Sequence, residues 1–317
     1  MLLKDLYALA IAKGIEADPR GREEVERILK EAKQEYEELS DSAKEEFDRE
    51  QLTNPYADTR ISFGDPELEV NRLITGVDVD TSELLLVNEL NRQGRDIDLV
   101  IAHHPVGLGR INFKDVMYMQ ADMMANFGVP INVAEAILAP RAAEVGRAGL
   151  PANHYRVVDA ARLLNIPVMC MHTPADNNAQ LFVQNHLDQA APRTLDDVVE
   201  ALKEIPEYKQ AAKMGIGPTI LVGNGKNRAG RIAVIMTGGT GGPAEDIEAL
   251  VNAGVGTIVE MHLSEEKRKL AEKHHLNVVI AGHMASDSLG MNLILDEFAK
   301  QGVAIETFSG LIRVSRN

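Results

Sequence analysis

Three places in the chain set histidine next to further ligand-type residues directly after an apolar run. They are His103-His104-Pro105, His172-Thr173-Pro174-Ala175-Asp176 and Gly282-His283-Met284-Ala285-Ser286-Asp287. Imidazole and carboxylate are donor types that bind divalent transition ions. Adjacent histidines in a regular strand would face opposite ways. Pro105 imposes extended or turning backbone on His104, so both rings can converge beyond the strand end. His172 and Asp176 stand four residues apart, as do His283 and Asp287, the spacing that places two side chains on one helix face. Each cluster alone also reads as a strand end or a helix cap, with Ser286 or Asp287 capping the last. Capping does not account for three strand ends that each carry a histidine, two with a carboxylate four residues on. The expectation is a two-metal centre built by His103, His104, Asp176, His283 and Asp287. His172 is left as an indirect hydrogen-bonding donor, an additional ligand or, with Glu260, a proton carrier.

Charge counting fits this chemistry. Three neutral imidazoles and two carboxylates bring −2 to two divalent ions, leaving +2 for water and an anionic substrate. Paired ions roughly 3.5–4 Å apart lower the pKa of the water between them. A nitrogen and oxygen ligand set admits zinc, iron, manganese or cobalt without choosing among them. A glycine-rich stretch, Thr237-Gly238-Gly239-Thr240-Gly241-Gly242-Pro243, follows an apolar strand. With Pro243 expected at the first helical position, the backbone N–H groups of Gly238, Gly239, Gly241 and Gly242 read either as an anion cradle or as a tight turn. The stretch lacks both the lysine of a P-loop and the full dinucleotide fingerprint. Glu260 and His262 are expected to border the pocket, whereas Asp78 and Asp80 read as turn or cap residues. His274 and His275 read as a helix C-terminus.

The elements that must position these groups alternate between strand and helix from Thr59 onward. Apolar runs predict strands at Arg60–Phe63, Arg72–Val77, Leu99–Ala102, Val168–His172 and Thr219–Val222. Further strands are predicted at Arg231–Met236, Gly256–Glu260, Asn277–Ala281, Ile305–Phe308 and Leu311–Val314. Helical periodicity predicts helices over Ser82–Gln93, Val116–Asn126, Ala244–Asn252, Glu265–His275 and Ser288–Lys300. This is an α/β pattern, a layered sandwich with ligand sites at the carboxyl ends of strands. The run Asp98–His104 echoes Asn277–His283, each an aliphatic "VIA" strand delivering a histidine at the same offset, and the echo predicts two related α/β lobes. The expected divisions are a helical extension over 1–55, a first lobe over 56–190 and a second over 191–317. The extension, dense in Glu and Lys with Ser40 able to cap its third helix, reads as an exposed arm used in packing or subunit contact.

Composition narrows the function classes. At 317 residues, with no Trp and 4% aromatics, the cores must be aliphatic and Met-containing. The net charge of −15 argues against a broad nucleic-acid surface. Cys170, the single cysteine, excludes an internal disulfide or a thiolate metal site and reads as a buried thiol. The N-terminus reads as an amphipathic helix rather than a signal peptide, and no run is long enough to span a membrane, so the expected compartment is the cytoplasm.

Taken together, HHP at 103–105, HTPAD at 172–176, GGTGG at 238–242 and GHMASDSLG at 282–290 resemble, in order and spacing, the Ngg-interacting-factor-three-like dinuclear-metal proteins, often labelled GTP cyclohydrolase I type 2 homologs. The resemblance spans roughly residues 55–317. It carries the family's metal ligands onto His103, His104, Asp176, His283 and Asp287. It implies two lobes with the metals in the cleft between them, and a ring-like homohexamer with sites facing an internal cavity. In its cyclohydrolase version, water attacks C8 of a purine nucleotide while the glycine-rich loop holds the phosphates. The chain departs from the pattern at Asp287, where the family has Glu, a side chain shorter by about 1.5 Å, and at Pro174-Ala175, where the family tends to Asn-Leu. The expected activity is that of a metal-dependent hydrolase on a small anionic substrate. The alternative is a non-catalytic metal-binding, regulatory or scaffold protein.

Overall fold

Strands buried on both faces read as continuous apolar runs, and the computed structural model, which describes residues 1–317, assembles such strands into two sheets. The chain opens with α1 (Leu3–Glu16), α2 (Arg22–Glu38), α3 (Asp41–Glu46) and a 3₁₀ turn, Arg49–Leu52. The first sheet draws on β1 (Arg60–Phe63), β2 (Arg72–Gly76), β3 (Leu99–Ala102) and β4 (Val168–Cys170), with α4 (Thr81–Arg92) between β2 and β3. Between β3 and β4 lie α5 (Leu108–Ile111), α6 (Phe113–Val116), α7 (Met119–Asn126), α8 (Ile131–Gly149) and α9 (Arg156–Leu164). After β4 come α10 (Thr173–Ala190), α11 (Leu195–Glu204) and α12 (Pro206–Lys213). The second sheet contains β5 (Thr219–Val222), β6 (Arg231–Ile235), β7 (Val255–Glu260) and β8 (Asn277–Ile280), with α13 (Asp246–Asn252) and α14 (Glu265–Lys273) as crossovers. The chain ends with α15 (His283–Lys300) and β9 (Ala304–Thr307).

The sheets share one topology. The first runs β1-β4-β3-β2-β9 and the second β5-β8-β7-β6. In each, the strand entering first is an antiparallel edge beside the strand entering fourth, and the remaining pairs are parallel. This corrects the expected echo. Ala102 lies beside Gly76 and Cys170, and Glu260 lies beside Ile235 and Ile280. The counterpart of β3 is therefore β7, and that of β8 is β4. The "VIA" likeness of β3 and β8 reflects only that both are buried parallel strands.

Alternating side chains feed different cores. Leu73, Leu99, Ile101 and Met169 face a cluster containing Leu3, Leu6 and Ala10 of α1 and Met291, Ile294, Leu295 and Phe298 of α15. Ile74, Val100 and Val168 face the opposite way, onto α4 and α9. On the second sheet, Val234, Val259 and Val279 pack against α10, α11, α12 and Ala285 and Leu289 of α15. Helices α10 and α15 thus lie between the two sheets, giving an α-β-α-β-α layering. Helix α1 is not part of an exposed arm, because Leu3, Leu6 and Ala10 are fully buried; α2, with Val25 as its one buried residue, and α3, with none, fit that description.

The long β3–β4 crossover crosses between lobes. Met117, Ala121, Met124 and Leu138 of the α6–α8 region pack with Ala233, Ile258 and Val278 on the outer face of the second sheet. The segment Leu311–Val314 is no strand. Its backbone is instead taken up by α15, with Ile312 N–H donating to Ser288 Oγ at 2.9 Å and Asn292 Nδ2 donating to Ile312 O at 2.8 Å. No helix is long and apolar enough to cross a membrane.

Candidate metal centre

Parallel strands end together, so the carboxyl ends of β3, β4 and β8 bring the three histidine clusters to one place between the lobes. Asp176 follows on the first turn of α10, and Asp287 stands one turn past His283, the residue that opens α15. Those helices touch where α15 has no side chain. A Cβ on Gly290 would stand 2.1 Å from Ala175 O, so only glycine permits this approach. Gly290 lies one turn past Asp287, and Ala175 adjoins Asp176, so the contact that glycine allows draws the two carboxylates together. Helix α1 supports α10 from the other side, with Asn177 Nδ2 donating to Gly14 O at 3.1 Å.

The imidazoles form a continuous group. Ring centroids lie 4.8 Å apart for His103 and His172, 5.2 Å for His103 and His104, and 5.4 Å for His104 and His283. His103 Nε2 stands 3.4 Å from Asp176 Oδ1 and 3.6 Å from Asp287 Oδ1. Asp287 Oδ2 stands 3.8 Å from His104 Nε2 and 3.5 Å from His283 Nε2. These separations exceed a hydrogen bond, so the donors aim at shared space rather than at each other. Three sets of ligand atoms lie within 4.8 Å of one another: His104, His283 and Asp287; His103, Asp176 and Asp287; and His103, His104 and His172. Asp287 presents one oxygen to each of the first two sets.

The buried atoms argue that this arrangement is built for cations. His103 Nε2, Asp176 Oδ1 and both carboxylate oxygens of Asp287 are buried with no hydrogen-bond partner. Buried polar atoms are normally satisfied, and leaving one unpaired costs about 1–3 kcal/mol. Four such atoms pointing into one space fit divalent ions. Two of the three sets share Asp287.

Each ring is oriented through its other nitrogen. His103 Nδ1–H donates to Met171 O at 3.2 Å, which leaves the lone pair on Nε2. His104 Nδ1 pairs with Asp78 at 2.7 Å, and His172 Nδ1 pairs with the fully buried Asp58 at 2.8 Å. Asp58 also accepts from Thr173 Oγ1 at 2.7 Å. Such carboxylate–histidine pairs raise ligand basicity and fix the tautomer. Asp80 caps α4 as expected, but Asp78 serves His104 instead of a turn. Asp58 escaped sequence reasoning, because nothing local links it to a histidine more than a hundred positions away.

Electrostatics divides the two acids. Burial drives the Asp176 carboxyl well above its ordinary range. Burial acts on Asp287 in the same sense, but the surrounding histidines, His103 foremost, outweigh it and hold Asp287 below its usual value. His103 is raised because Asp287 and Asp176 outweigh its desolvation. Burial and the neighbouring His103 lower His104 to about 4, which keeps it in the neutral, ligating form at neutral pH.

A small cavity of about 70 Å³ extends from His172, Asp176, His283 and Asp287 to the glycine-rich loop. Gly238 and Gly239 have φ of 93° and 83°, which L side chains rarely adopt. Gln120 Nε2 donates to Gly238 O at 2.6 Å and Thr240 O at 2.7 Å, so two loop carbonyls are spent on Gln120. Pro243 does not open a helix; α13 begins only at Asp246. Glu260 lines the cavity but accepts from Lys267 Nζ at 2.8 Å, and Lys267 also donates to Asp246 at 3.0 Å. His262, two residues past Glu260, occupies the position that His104 holds two residues past Ala102. Its ring meets that of His283 edge-on at 4.9 Å. Cys170 is buried, which pushes its thiol up to about 11, as a structural cysteine requires.

No family model and no curated protein matches this chain. Among solved structures, it is similar to a NIF3 superfamily protein from Sphaerobacter thermophilus, with 28% identity and a TM-score of 0.73 over 82% of this chain and 94% of that one. It shares its fold with reduced HcgD from Methanocaldococcus jannaschii, at 16% identity and a TM-score of 0.51 over 84% of this chain and 94% of that one. The expected resemblance therefore holds along most of the chain, which is similar in sequence and fold to a NIF3 superfamily protein.

Proposed function

We propose that the protein is a dinuclear-metal-dependent hydrolase of a small anionic substrate. The observation that carries this reading is the set of buried, unpartnered atoms of His103, Asp176 and Asp287 facing one space. Divalent ions bound there supply Lewis-acid polarisation and make water a nucleophile at neutral pH. His104 and His283 with Asp287 would hold one ion, and His103 and Asp176, also with Asp287, would hold the other. Zinc, iron, manganese and cobalt all suit these donors.

His172, anchored by Asp58, holds or moves a proton at Nε2, 3.6 Å from Asp176 Oδ2 and beside the cavity. Glu260, the second candidate proton carrier, faces the same cavity with its carboxylate accepting from Lys267 Nζ. Gly239, Gly241 and Gly242 wall the cavity and let a substrate approach backbone, with Gly238 adjoining them in the same loop. The resemblance favours a purine nucleotide as substrate, a homohexamer as the assembly and the cytoplasm as the compartment; light scattering on the purified protein tests the assembly.

The functional test starts from protein purified without added metal, analysed for its elements and incubated with GTP and a panel of phosphoesters. Two metal equivalents per chain are expected, with turnover that disappears on chelation and in His104→Ala. Tight metal binding without turnover across the panel would overturn the hydrolase and leave a metal-binding regulatory protein.

A further inference from the structure

The chain carries 33 basic against 48 acidic residues, yet one cavity beside the metal centre has the opposite balance. It measures about 300 Å³ and is lined by Arg110, Lys114 and Arg141, with Glu144 as its one carboxylate. The three cations come from separate elements of the β3–β4 crossover, α5, α6 and α8, the segment that bridges the two lobes. Arg110 and Lys114 are exposed and form no ion pair. Lys114 lies against α8 where that helix has no side chain, since a Cβ on Gly146 would stand 2.8 Å from Lys114 Cδ. Arg141 pairs with Glu144 at 2.8 Å and reaches the glycine-rich loop, its Nε donating to Gly241 O at 3.3 Å.

This cavity adjoins the centre on two sides. Phe113 lines it, and the Phe113 ring lies 5.4 Å from that of His172. Thr240, at the tip of the glycine-rich loop, borders both this cavity and the one containing Asp176 and Asp287. Arg110 also borders a second cavity, which reaches His104. Clustered cations in a walled cleft concentrate anions and outweigh a distant net charge. Guanidinium groups additionally match phosphate oxygens in a two-pronged geometry. The glycine-rich loop is the poorer phosphate site, because no helix starts at Pro243 to line up its N–H groups.

We infer that Arg110, Lys114 and Arg141 form the docking site for a phosphate or polyphosphate group of the substrate, one aromatic ring removed from the metal centre. The inference rests on the hydrolase reading only for what lies at the other end of that substrate.

The test is calorimetric titration of chelator-treated, dialysed full-length protein with sodium tripolyphosphate and, separately, citrate. Saturable tripolyphosphate binding is expected, weaker for citrate and weakening further as salt rises. Arg110→Gln with Lys114→Gln and Arg141→Gln together should lower the tripolyphosphate affinity at least tenfold. Lys114→Gln alone, at an exposed position, should lower it less and leave the melting temperature unchanged. Absence of saturable binding, equal affinity in the triple variant, or citrate binding as tightly as tripolyphosphate would each overturn the assignment. Because the protein is stripped of metal, loss of the hydrolase reading would leave a positive result standing. Metal-dependent turnover without tripolyphosphate binding would instead remove this site alone.

Discussion

Asp287→Asn tests the architecture at its shared point. The Asp287 side chain is fully buried, and each of its oxygens faces a different ligand set. Asparagine keeps the shape but replaces one oxygen with an amide nitrogen, which does not ligate, and removes the charge common to both sets. An ion at a hundred times its dissociation constant stabilises the native state by about 2.7 kcal/mol, so two independent ions contribute about 5 kcal/mol. An unfolding entropy near 2.1 cal/mol/K per residue, over 317 residues, converts this into a rise of about 8 °C. The assay is thermal unfolding of chelator-treated protein with and without excess manganese, cobalt or zinc, together with elemental analysis. Wild type should rise by about 8 °C, and Asp287→Asn by under about 3 °C, because both ligand sets lose strength together. A variant that rises as far as wild type would refute the shared-carboxylate reasoning. A variant that loses half the rise and one metal equivalent would show that Asp287 serves one ion only.

Three further outcomes follow from the surroundings of the centre. Gly290→Ala forces α15 off Ala175 O; overpacking of this kind costs about 1–3 kcal/mol, so urea unfolding and metal titration of the same variant should show lower stability and weaker metal binding together. Asp58→Ala frees the His172 ring and should weaken metal binding or turnover about 10–100-fold, with Asp58→Asn, which retains an acceptor, recovering part of it; equal behaviour of the two variants would mean that the hydrogen bond to His172 is unimportant. Burial pushes Asp246 up to about 6 from an ordinary 3.8, so its protonated form is the one that folding favours. Its contribution to stability is present in full below about pH 4 and is lost as the pH rises through about 6. Urea midpoints should therefore fall more for wild type than for Asp246→Asn between pH 4.5 and 7, and a constant difference between the two proteins would contradict the shift.

What the amino-acid order determined by itself was donor chemistry and local spacing. Histidines at strand ends, and carboxylates four residues beyond two of them, are properties of residue type and helical pitch, and they marked the cluster before any fold was known. The buried strands were legible because burial on both faces requires unbroken aliphatic runs. The same physics misled in two places. The likeness of β3 to β8 is shared by any strand of this kind, and Leu311–Val314 has strand composition but finds no sheet edge, only Ser288 and Asn292 on α15.

Tertiary structure alone decided how the pieces meet. Asp58 reaches His172, Asp78 reaches His104, and Gly290 lets α15 touch α10, each across a long stretch of chain. None of these has a local signature, because a hydrogen bond or a backbone approach between distant segments depends on where packing leaves them. Helix α1 was read as an outlying arm for the same reason: its apolar face carries no record of which helix it will cover. Residue chemistry sets what a site can bind. The close approach of elements remote in sequence sets whether its donors converge.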